Sequence, residues 1–388
     1  MSASVSEIVF SRPISIDQDW GVGKREPARP VHLRPTNFAE QFDSATLWFD
    51  QFVAPSGNSV VLIGPPLFNL EQSLADAGAL FFSEDEELES VYSSRDRCSE
   101  IWLACHNPLC ARLALTGENF RVPLSPQQNH SDWFSGRRVA CTLSKDNDLQ
   151  WIRDWAAFYV KRHGLDAVLL YDNGSTRYSL EDLRDTISSV PGISTAVVVA
   201  WPFLYGPQGR DSIPRLPWDS DFCQHAALSH ARWRFLTSAK CVLNCDIDEL
   251  VVTPKGTTIF SICESADQGY VAFNGRWGFM DSRTIAPQLI RHQDHVWTTE
   301  IPRPCPQKWA AVPSKVPASA QWQVHKVSTL NGNNSLSDDI FYWHFRSLSN
   351  SWKYKRSPEF GPKELFFSEE LAGMFTEPQL LPRAHEQK

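Results

Sequence analysis

Two aspartates separated by one residue, Asp246 and Asp248, are the side chains of this sequence best suited to chemistry. They follow the apolar run 241–244, and residues i and i+2 of an extended segment point to the same side. Two carboxylates held that close repel each other unless a positive charge lies between them. Carboxylate oxygens suit Mn²⁺ or Mg²⁺, so we predict a divalent metal site here, with the imidazole of His325 as a further ligand. The alternative is a solvated acidic turn at the end of a strand.

A second polar motif, Tyr171-Asp172-Asn173-Gly174-Ser175, ends another apolar run. An aspartate at the end of an early parallel strand can accept a hydrogen bond from a nucleoside. Asn-Gly lets the backbone turn sharply and approach a ligand closely. The alternative interpretation is a plain Asn-Gly turn that leaves the strand.

Both motifs need a scaffold that brings strand ends together, and the sequence from about residue 138 predicts one. Apolar runs typical of strands alternate there with stretches of helical periodicity. The predicted strands cover 138–143, 166–171, 193–200 and 241–244, and the predicted helices cover 148–162, 180–187 and 222–236. This alternation indicates an α/β domain with a mostly parallel sheet, in which ligands bind at the carboxyl ends of the strands.

The domain limits follow from changes in pattern along the chain. Residues 1–135 have short apolar runs separated by Pro, Gly, Asn and Ser, which predicts a smaller β-rich N-terminal domain. The α/β domain then spans 136–356, and a polar tail spans 357–388.

Charge and composition exclude several classes of function. The formal net charge of −8 disfavours nucleic-acid binding. Nine cysteines without a CxxC pair argue against a disulfide framework or a structural zinc site and favour a reducing compartment. The sequence contains no run of about 18 apolar residues, so it predicts no membrane span. We therefore expect a cytoplasmic protein, with peripheral contact to a membrane left open.

Residues 138–253 resemble glycosyltransferase family 92 and the bacterial family-2-like glycosyltransferases near it. The resemblance is carried by Asn147-Asp148, Asp154-Trp155, Gly164, Tyr171–Ser175, Gln224 and Asp246-Ile247-Asp248-Glu249-Leu250. It departs from the family where Asp148 replaces a glutamate and Tyr159 replaces a histidine. The resemblance implies a GT-A type of nucleotide-sugar-binding domain. It also implies metal-dependent transfer of a sugar, with inversion, from a nucleotide diphosphate sugar such as a UDP-sugar to a glycan, a lipid-linked acceptor or another hydroxyl acceptor.

The resemblance also assigns roles to individual residues. The expected substrate contacts are Asn147, Asp148, Asp172, Asn173, Gly174, Gln224, Asp246, Trp277, Lys308, His344 and Arg346. Inversion requires a general base, which is expected to be a carboxylate downstream of the metal motif on the acceptor side, and Asp281, Asp294 and Glu300 are the candidates. Asp281 is preferred because it follows Trp277-Gly278. The basic residues after His344, including Arg346, could clamp the diphosphate.

Two other functions compete with sugar transfer. Haloacid-dehalogenase-like phosphatases also use two aspartates two residues apart, but their motif lies in the first strand of the domain and continues with Thr or Val. The second competitor is a catalytically inactive carbohydrate-binding or scaffold protein on a transferase fold. The intact pair of aspartates disfavours it.

Overall fold

The computed structural model of this 388-residue chain describes residues 4–207, 216–280, 290–301, 304–330, 339–346, 348 and 364–375. Strands dominate up to residue 135, where the helices α1 (Phe38–Gln41) and α2 (Asn69–Asp76) are short. The strands of this part are β1 (Val5–Phe10), β2 (Ile14–Ser15), β3 (Thr46–Trp48), β4 (Asp50–Val53), β5 (Ser59–Gly64), β6 (Leu80–Ser83), β7 (Glu86–Glu87), β8 (Ser90–Arg95), β9 (Cys98–Ala104), β10 (Leu113–Gly117) and β11 (Phe120–Leu124).

Strands and helices alternate in the next part of the chain, as predicted. Its strands are β12 (Arg138–Ser144), β13 (Ala167–Asp172), β14 (Thr195–Ala200), β15 (Cys241–Asn244), β16 (Glu249–Val252), β17 (Tyr270–Gly278), β18 (Trp297–Thr298), β19 (Pro304–Ala311), β20 (Phe341–Phe345) and β21 (Phe366–Phe367). Its α-helices are α3 (Leu149–His163), α4 (Leu180–Ser188), α5 (Phe222–His230), α6 (Ile259–Ser265) and α7 (Glu369–Gly373). A π-helix, Ala231–Leu236, continues α5. Among the described helices, none is both long and apolar enough to cross a membrane.

The main sheet contains nine strands in the order β1-β14-β13-β12-β15-β19-β17-β20-β16. The first five strands are parallel, whereas the other four form mixed pairs. From β12 the chain adds β13 and β14 on one side and β15 on the other, so the strand order reverses between β12 and β15. Ligands of parallel sheets bind at the carboxyl ends of strands at such a reversal. A mixed α/β fold with a large, mostly parallel sheet is therefore confirmed.

The first strand does not belong to the β-rich unit. Residues Val5–Phe10 pair in parallel with Thr195–Ala200 at the edge of the main sheet. The predicted domain of residues 1–135 therefore contributes a strand to the α/β domain. The remainder of this segment forms two four-stranded sheets, β4-β5-β9-β8 and β11-β10-β6-β7, with the pair β2-β3 beside them. We call residues 14–124 the β-rich unit.

Helix α5 and its π-helical extension lie between the β-rich unit and the main sheet. All nine residues of α5 are buried, and one hydrophobic core joins them to both sides. A buried polar network crosses this layer. His230 contacts Tyr171 of β13 at 2.7 Å and Asp50 of β4 at 2.8 Å, while Arg234 donates to the same carboxylate at 2.6 Å. The β-rich unit is thus joined to the main sheet by apolar packing and by paired charges.

The other face of the main sheet is covered by α3, α4 and α6, whose apolar residues form a second core. Helix α3 is capped at its start by Asp148, whose side chain accepts a hydrogen bond from the amide of Gln150, and at its end by Gly164, which has a φ of 69°. Since α3 leaves the carboxyl end of β12, its first turn lies at the edge where the strand order reverses.

The buried histidine His163 at the end of α3 makes the stability of this fold depend on pH. Its Nε2 donates to the carbonyl of Val251, and its Nδ1 accepts from the amide of Ile259, so the neutral ring uses both nitrogens. Burial lowers the pKa of His163 from 6.5 to about 4, although the Val251 hydrogen bond opposes this. As the pH falls through that window, the unfolded chain takes up a proton that the folded chain does not.

We expect His163→Gln to remove this one contribution to acid sensitivity. In the parent protein His163 lowers the free energy of unfolding by about 1.4 kcal/mol per pH unit within the window. Urea unfolding at several pH values between 6.5 and 4 measures the slope. The exposed His106, substituted in the same way, is the control and should keep the parent slope. An unchanged slope in His163→Gln would contradict the assignment.

Candidate functional site

The two aspartates of the predicted metal motif lie in a turn between β15 and β16. Asp246 and Asp248 follow the end of β15, and the next residue, Glu249, begins β16. The amide of Glu249 donates to the carbonyl of Asp246, which closes the turn. The segment is therefore a turn and not the extended strand end from which a shared orientation of the i and i+2 side chains was predicted. Each aspartate has its own partner.

Asp246 and Glu249 share the ammonium group of Lys308. Its Nζ lies 2.8 Å from Oδ2 of Asp246 and 3.1 Å from Oε2 of Glu249, and that same oxygen of Glu249 accepts the amide hydrogen of Asp246. Burial alone would lower the pKa of Lys308, but the two carboxylates raise it above its usual value. Lys308 comes from β19, which pairs antiparallel with β15. The sheet therefore supplies the cation that these acids require.

Asp248 contacts His344, which β20 contributes. The Nε2 of His344 donates to Oδ2 of Asp248 at 3.2 Å. In the sheet His344 stands between Glu249 on β16 and Trp277 on β17, and its ring stacks on the Trp277 indole with centroids 4.1 Å apart. Burial would lower the pKa of His344, but Asp248 raises it to about 10. Burial also raises the pKa of Glu249 to about 7.

A cleft of about 740 Å³ opens beside this cluster. Several residues predicted from the sequence meet in its lining, namely Gln224, Asp246, Trp277, Lys308, His325 and His344. The lining also includes Glu249, Asp96, Arg97, Tyr205, Asp221, His225, Gln323 and Lys326. Acidic, basic, amide and aromatic side chains thus surround one open volume at the reversal of strand order. Such a mixture suits a polar, partly anionic ligand with hydroxyl groups.

His325 lies on the tight turn Gln323–Lys326, where the amide of Gln323 donates to the carbonyl of Lys326. The side chain of Asn244 holds this turn against β15 through the carbonyl of Val324 at 2.8 Å. The ring of His325 contacts the carbonyl of Gln307 at 3.0 Å. His325 therefore lies near the acidic cluster. The histidine that contacts Asp248 is His344, which was predicted from the sequence as a substrate contact.

The Tyr171–Ser175 motif forms a tight turn at the end of β13. Asp172 accepts the amide hydrogen of Ser175 at 2.9 Å, Asn173 donates to the carbonyls of Trp201 and Phe203, and Gly174 adopts a φ of 71°. The second oxygen of Asp172, Oδ1, is buried and has no hydrogen-bond partner among the described residues. Burial raises the pKa of this carboxyl, although the bonds from Ser175 oppose the rise. The turn therefore leaves one acceptor oxygen unused.

The remaining predicted residues are not part of the cleft lining, and some lie outside the described part of the chain. Asn147 donates to Ser144 at 2.9 Å, and Asp148 caps α3, so both stand at the end of β12. The guanidinium of Arg346 lies 5.9 Å from the Trp277 ring centroid. Asp281, the preferred general base, lies outside the described residues, as do the basic residues 353–356.

Oδ2 of Asp248 and Nε2 of His344 would serve as two ligands of a divalent cation once the proton that His344 donates to Asp248 is displaced. Oδ2 and Nε2 lie 3.2 Å apart, close to the ~3 Å between adjacent ligands of an octahedral ion with bonds of ~2.1 Å. Within the described ranges no three His, Cys, Asp or Glu side chains form a complete cage. Mg²⁺ is commonly held by one or two carboxylates together with substrate phosphates. A cation held by this pair would need further ligands, such as substrate phosphates.

Some residues of the site were not predicted from the sequence. Glu249 was noted only as part of the motif, although a third acid so close to two others signals a buried cation. Asp96, Arg97 and Asp221 had no local signal. Asp96 and Arg97 form a hairpin turn far from the motif in sequence, and only the packing of the β-rich unit on α5 brings them to the cleft.

We expect Lys308→Met to destabilise the fold strongly, because it leaves Asp246 and Glu249 facing each other without a cation. Removing one partner of a buried ion pair costs about 3–5 kcal/mol. Urea unfolding measures this loss. Lys240→Met is the matched control, since Lys240 is half exposed and pairs with Glu264 at 3.2 Å. The control should change the free energy of unfolding by less than about 1 kcal/mol. Equal effects of the two substitutions would contradict the role given to Lys308.

Comparisons with known proteins give weak similarities only. No model of a known protein family and no curated protein sequence matches the chain. Among solved structures, S. aureus TarS is 12% identical with a TM-score of 0.24, and the match covers 39% of this chain and 23% of TarS. The S. cerevisiae mannosyltransferase Ktr4p is 14% identical with a TM-score of 0.24, and the match covers 38% of this chain and 40% of Ktr4p. Its complex with GDP matches at the same identity and TM-score over 38% of this chain and 41% of Ktr4p. The chain thus spans less than half of either protein, and its activity must be argued from the site.

Proposed function

We propose that this protein is a glycosyltransferase of the GT-A type that moves a sugar from a nucleoside diphosphate sugar to a hydroxyl acceptor. The observation that carries this proposal is the position of Asp246 and Asp248. They follow β15 at the reversal of strand order, and Asp246 faces a cleft of about 740 Å³ that also contains Lys308 and His344. Lys308 and His344 already offset these acids, and a diphosphate brought to the cleft needs further positive charge, which a bound divalent cation would supply.

The diphosphate of the donor would lie next to Asp248, His344 and Lys308. Asp248 and His344 would hold Mn²⁺ or Mg²⁺ together with the phosphates, and the metal would neutralise the charge that develops on the leaving diphosphate. Lys308, buried and charged, would keep Asp246 and Glu249 in place while the donor binds. Trp277, stacked on His344, would offer an aromatic face to a sugar ring.

The nucleoside of the donor would lie over the ends of β12 and β13. Asp172 pairs with Ser144 at the ends of these two strands. The Oδ1 of Asp172, which has no hydrogen-bond partner among the described residues, would accept a hydrogen bond from a base or a ribose. Asn147, beside Ser144, adds a second polar group at this edge. A uridine donor is the simplest choice from the resemblance to family 92, and the acceptor is proposed to be a glycan or a lipid-linked sugar.

Binding of the donor product tests the proposal directly. We expect UDP or GDP together with Mn²⁺ to raise the melting temperature, because a ligand at 100 times its Kd stabilises the folded state by about 2.7 kcal/mol. The nucleotide without metal should have a much smaller effect. Thermal shift with UDP, GDP and their sugars, each with and without Mn²⁺, measures this. No shift with any nucleotide would favour the inactive carbohydrate-binding alternative.

Substitutions at the motif test the metal requirement. We expect Asp246→Ala and Asp248→Asn each to lower metal-dependent release of UDP or GDP from a sugar nucleotide by about 100-fold or more. Far-UV circular dichroism should show an unchanged fold. Asp185→Asn, which changes an exposed partner of Arg184, is the control and should keep full activity. Parent-level activity in Asp248→Asn would refute the metal assignment, and parent-level activity in Asp246→Ala would refute the part given to Asp246 in the donor site.

A further inference from the structure

We infer that Asp96, contributed by the β-rich unit, is the carboxylate that accepts the proton of the acceptor hydroxyl in the proposed sugar transfer, on which this inference rests. Asp96 and Arg97 form the two-residue turn between β8 and β9. This turn lines the same cleft as Asp246 and His344. The lining of the cleft therefore includes a part of the chain more than a hundred residues before the acidic motif.

The backbone of Asp96 is held by a buried glutamine. The amide of Asp96 donates to Oε1 of Gln321 at 2.9 Å, and Nε2 of Gln321 donates to the carbonyl of Asp96 at 2.8 Å. Gln321 is only 5% exposed. Its main chain is fixed in turn, because its amide donates to Ser328 and its carbonyl accepts from the amide of the same residue. Asp96 is thus placed by contacts that do not involve its own side chain.

The neighbouring residue anchors the turn to helix α5. Arg97 lies 2.9 Å from Oδ2 of Asp221, the residue before α5, and its guanidinium lies 4.8 Å from the Trp218 ring centroid. Arg97 has a φ of 59°, a left-handed conformation that L-residues other than glycine adopt at a cost. The hairpin is therefore held in one position by Gln321 on one side and by Asp221, which lines the cleft, on the other.

Asp96 differs from the other carboxylates of the described cleft lining. Asp246 and Glu249 contact Lys308, and Asp221 contacts Arg97, all within 3.1 Å. Among the described residues, the guanidinium of Arg97 lies 3.6 Å and the ring of His225 lies 3.8 Å from the Asp96 carboxylate, both beyond hydrogen-bond distance. Its side chain is 44% exposed. An acceptor hydroxyl can therefore reach an oxygen of Asp96, which is the first requirement for a general base.

The proposed step balances without any further reactant. The acceptor hydroxyl gives its proton to a carboxylate oxygen of Asp96, and its oxygen forms a bond to the anomeric carbon of the donor. The bond between that carbon and the diphosphate oxygen breaks, and its electron pair leaves with the diphosphate. The products are a glycoside, a nucleoside diphosphate and a protonated Asp96, which returns its proton to water.

The substitution Asp96→Asn tests this role, because it removes the basic oxygen and keeps the shape of the side chain and the backbone contacts to Gln321. The full-length protein is incubated with Mn²⁺ and UDP-glucose, UDP-galactose, UDP-N-acetylglucosamine or GDP-mannose, with a mixture of methyl glycosides as acceptors. We expect the rate of nucleotide release to fall by about 100-fold or more. The thermal shift with UDP or GDP and Mn²⁺ should stay as in the parent. Asp85→Asn, at the exposed turn of the β6–β7 hairpin, is the matched control and should keep full activity.

Rescue by azide distinguishes a general base from a residue with a structural role. The azide anion attacks the anomeric carbon without losing a proton, so it should restore nucleotide release in Asp96→Asn and yield the glycosyl azide. Inactivity that azide does not relieve, or a lost thermal shift, would assign Asp96 a structural role and overturn the inference. A variant within about threefold of the parent rate would overturn it as well, while sugar transfer itself would stand. If the parent neither binds nor cleaves any of these nucleotides, the proposed function fails, and the role of Asp96 fails with it.

Discussion

Three carboxylates within four residues, Asp246, Asp248 and Glu249, impose the constraint around which this site is built. Like charges this close are costly in a buried place, so each must find a cation. Lys308 on β19 contacts Asp246 and Glu249. His344 on β20 contacts Asp248. Both cations come from strands added beyond the parallel part of the sheet. The mixed half of the sheet therefore neutralises the end of the parallel half, and the cleft opens where the two meet.

The β-rich unit is part of this arrangement. Helix α5 and its π-helical extension lie between it and the main sheet, and Asp50, His230 and Arg234 fix the contact. A buried charge pair gives little net stability, but a partner left alone would be costly, so the two layers keep one relative position. This position carries the Asp96–Arg97 turn to the cleft. A hairpin that had no visible role in the sequence thereby becomes part of the site.

The sequence predicted the parts of the fold that depend on local patterns. The apolar runs of β13, β14 and β15 are buried on both faces, and α3 has clear helical periodicity with a cap at Asp148 and a glycine at its end. The strand Val5–Phe10 was missed, because a single edge strand distant from its partner has no pairing signal of its own. The acidic motif was placed at the correct strand end, but its turn geometry was not foreseen.

The sequence by itself determined the alternation of strands and helices, and hence that Asp172 and Asp246 each stand at the carboxyl end of a strand. These properties follow from side-chain periodicity, which acts over a few residues. Only the tertiary structure decided that Lys308 pairs with Asp246, that His344 rather than His325 contacts Asp248, and that Asp96 reaches the cleft. Lys308 lies 62 positions from Asp246 in the chain, and His344 lies 96 positions from Asp248. These contacts depend on strand order and on the packing of layers, and periodicity along the chain carries no information about either.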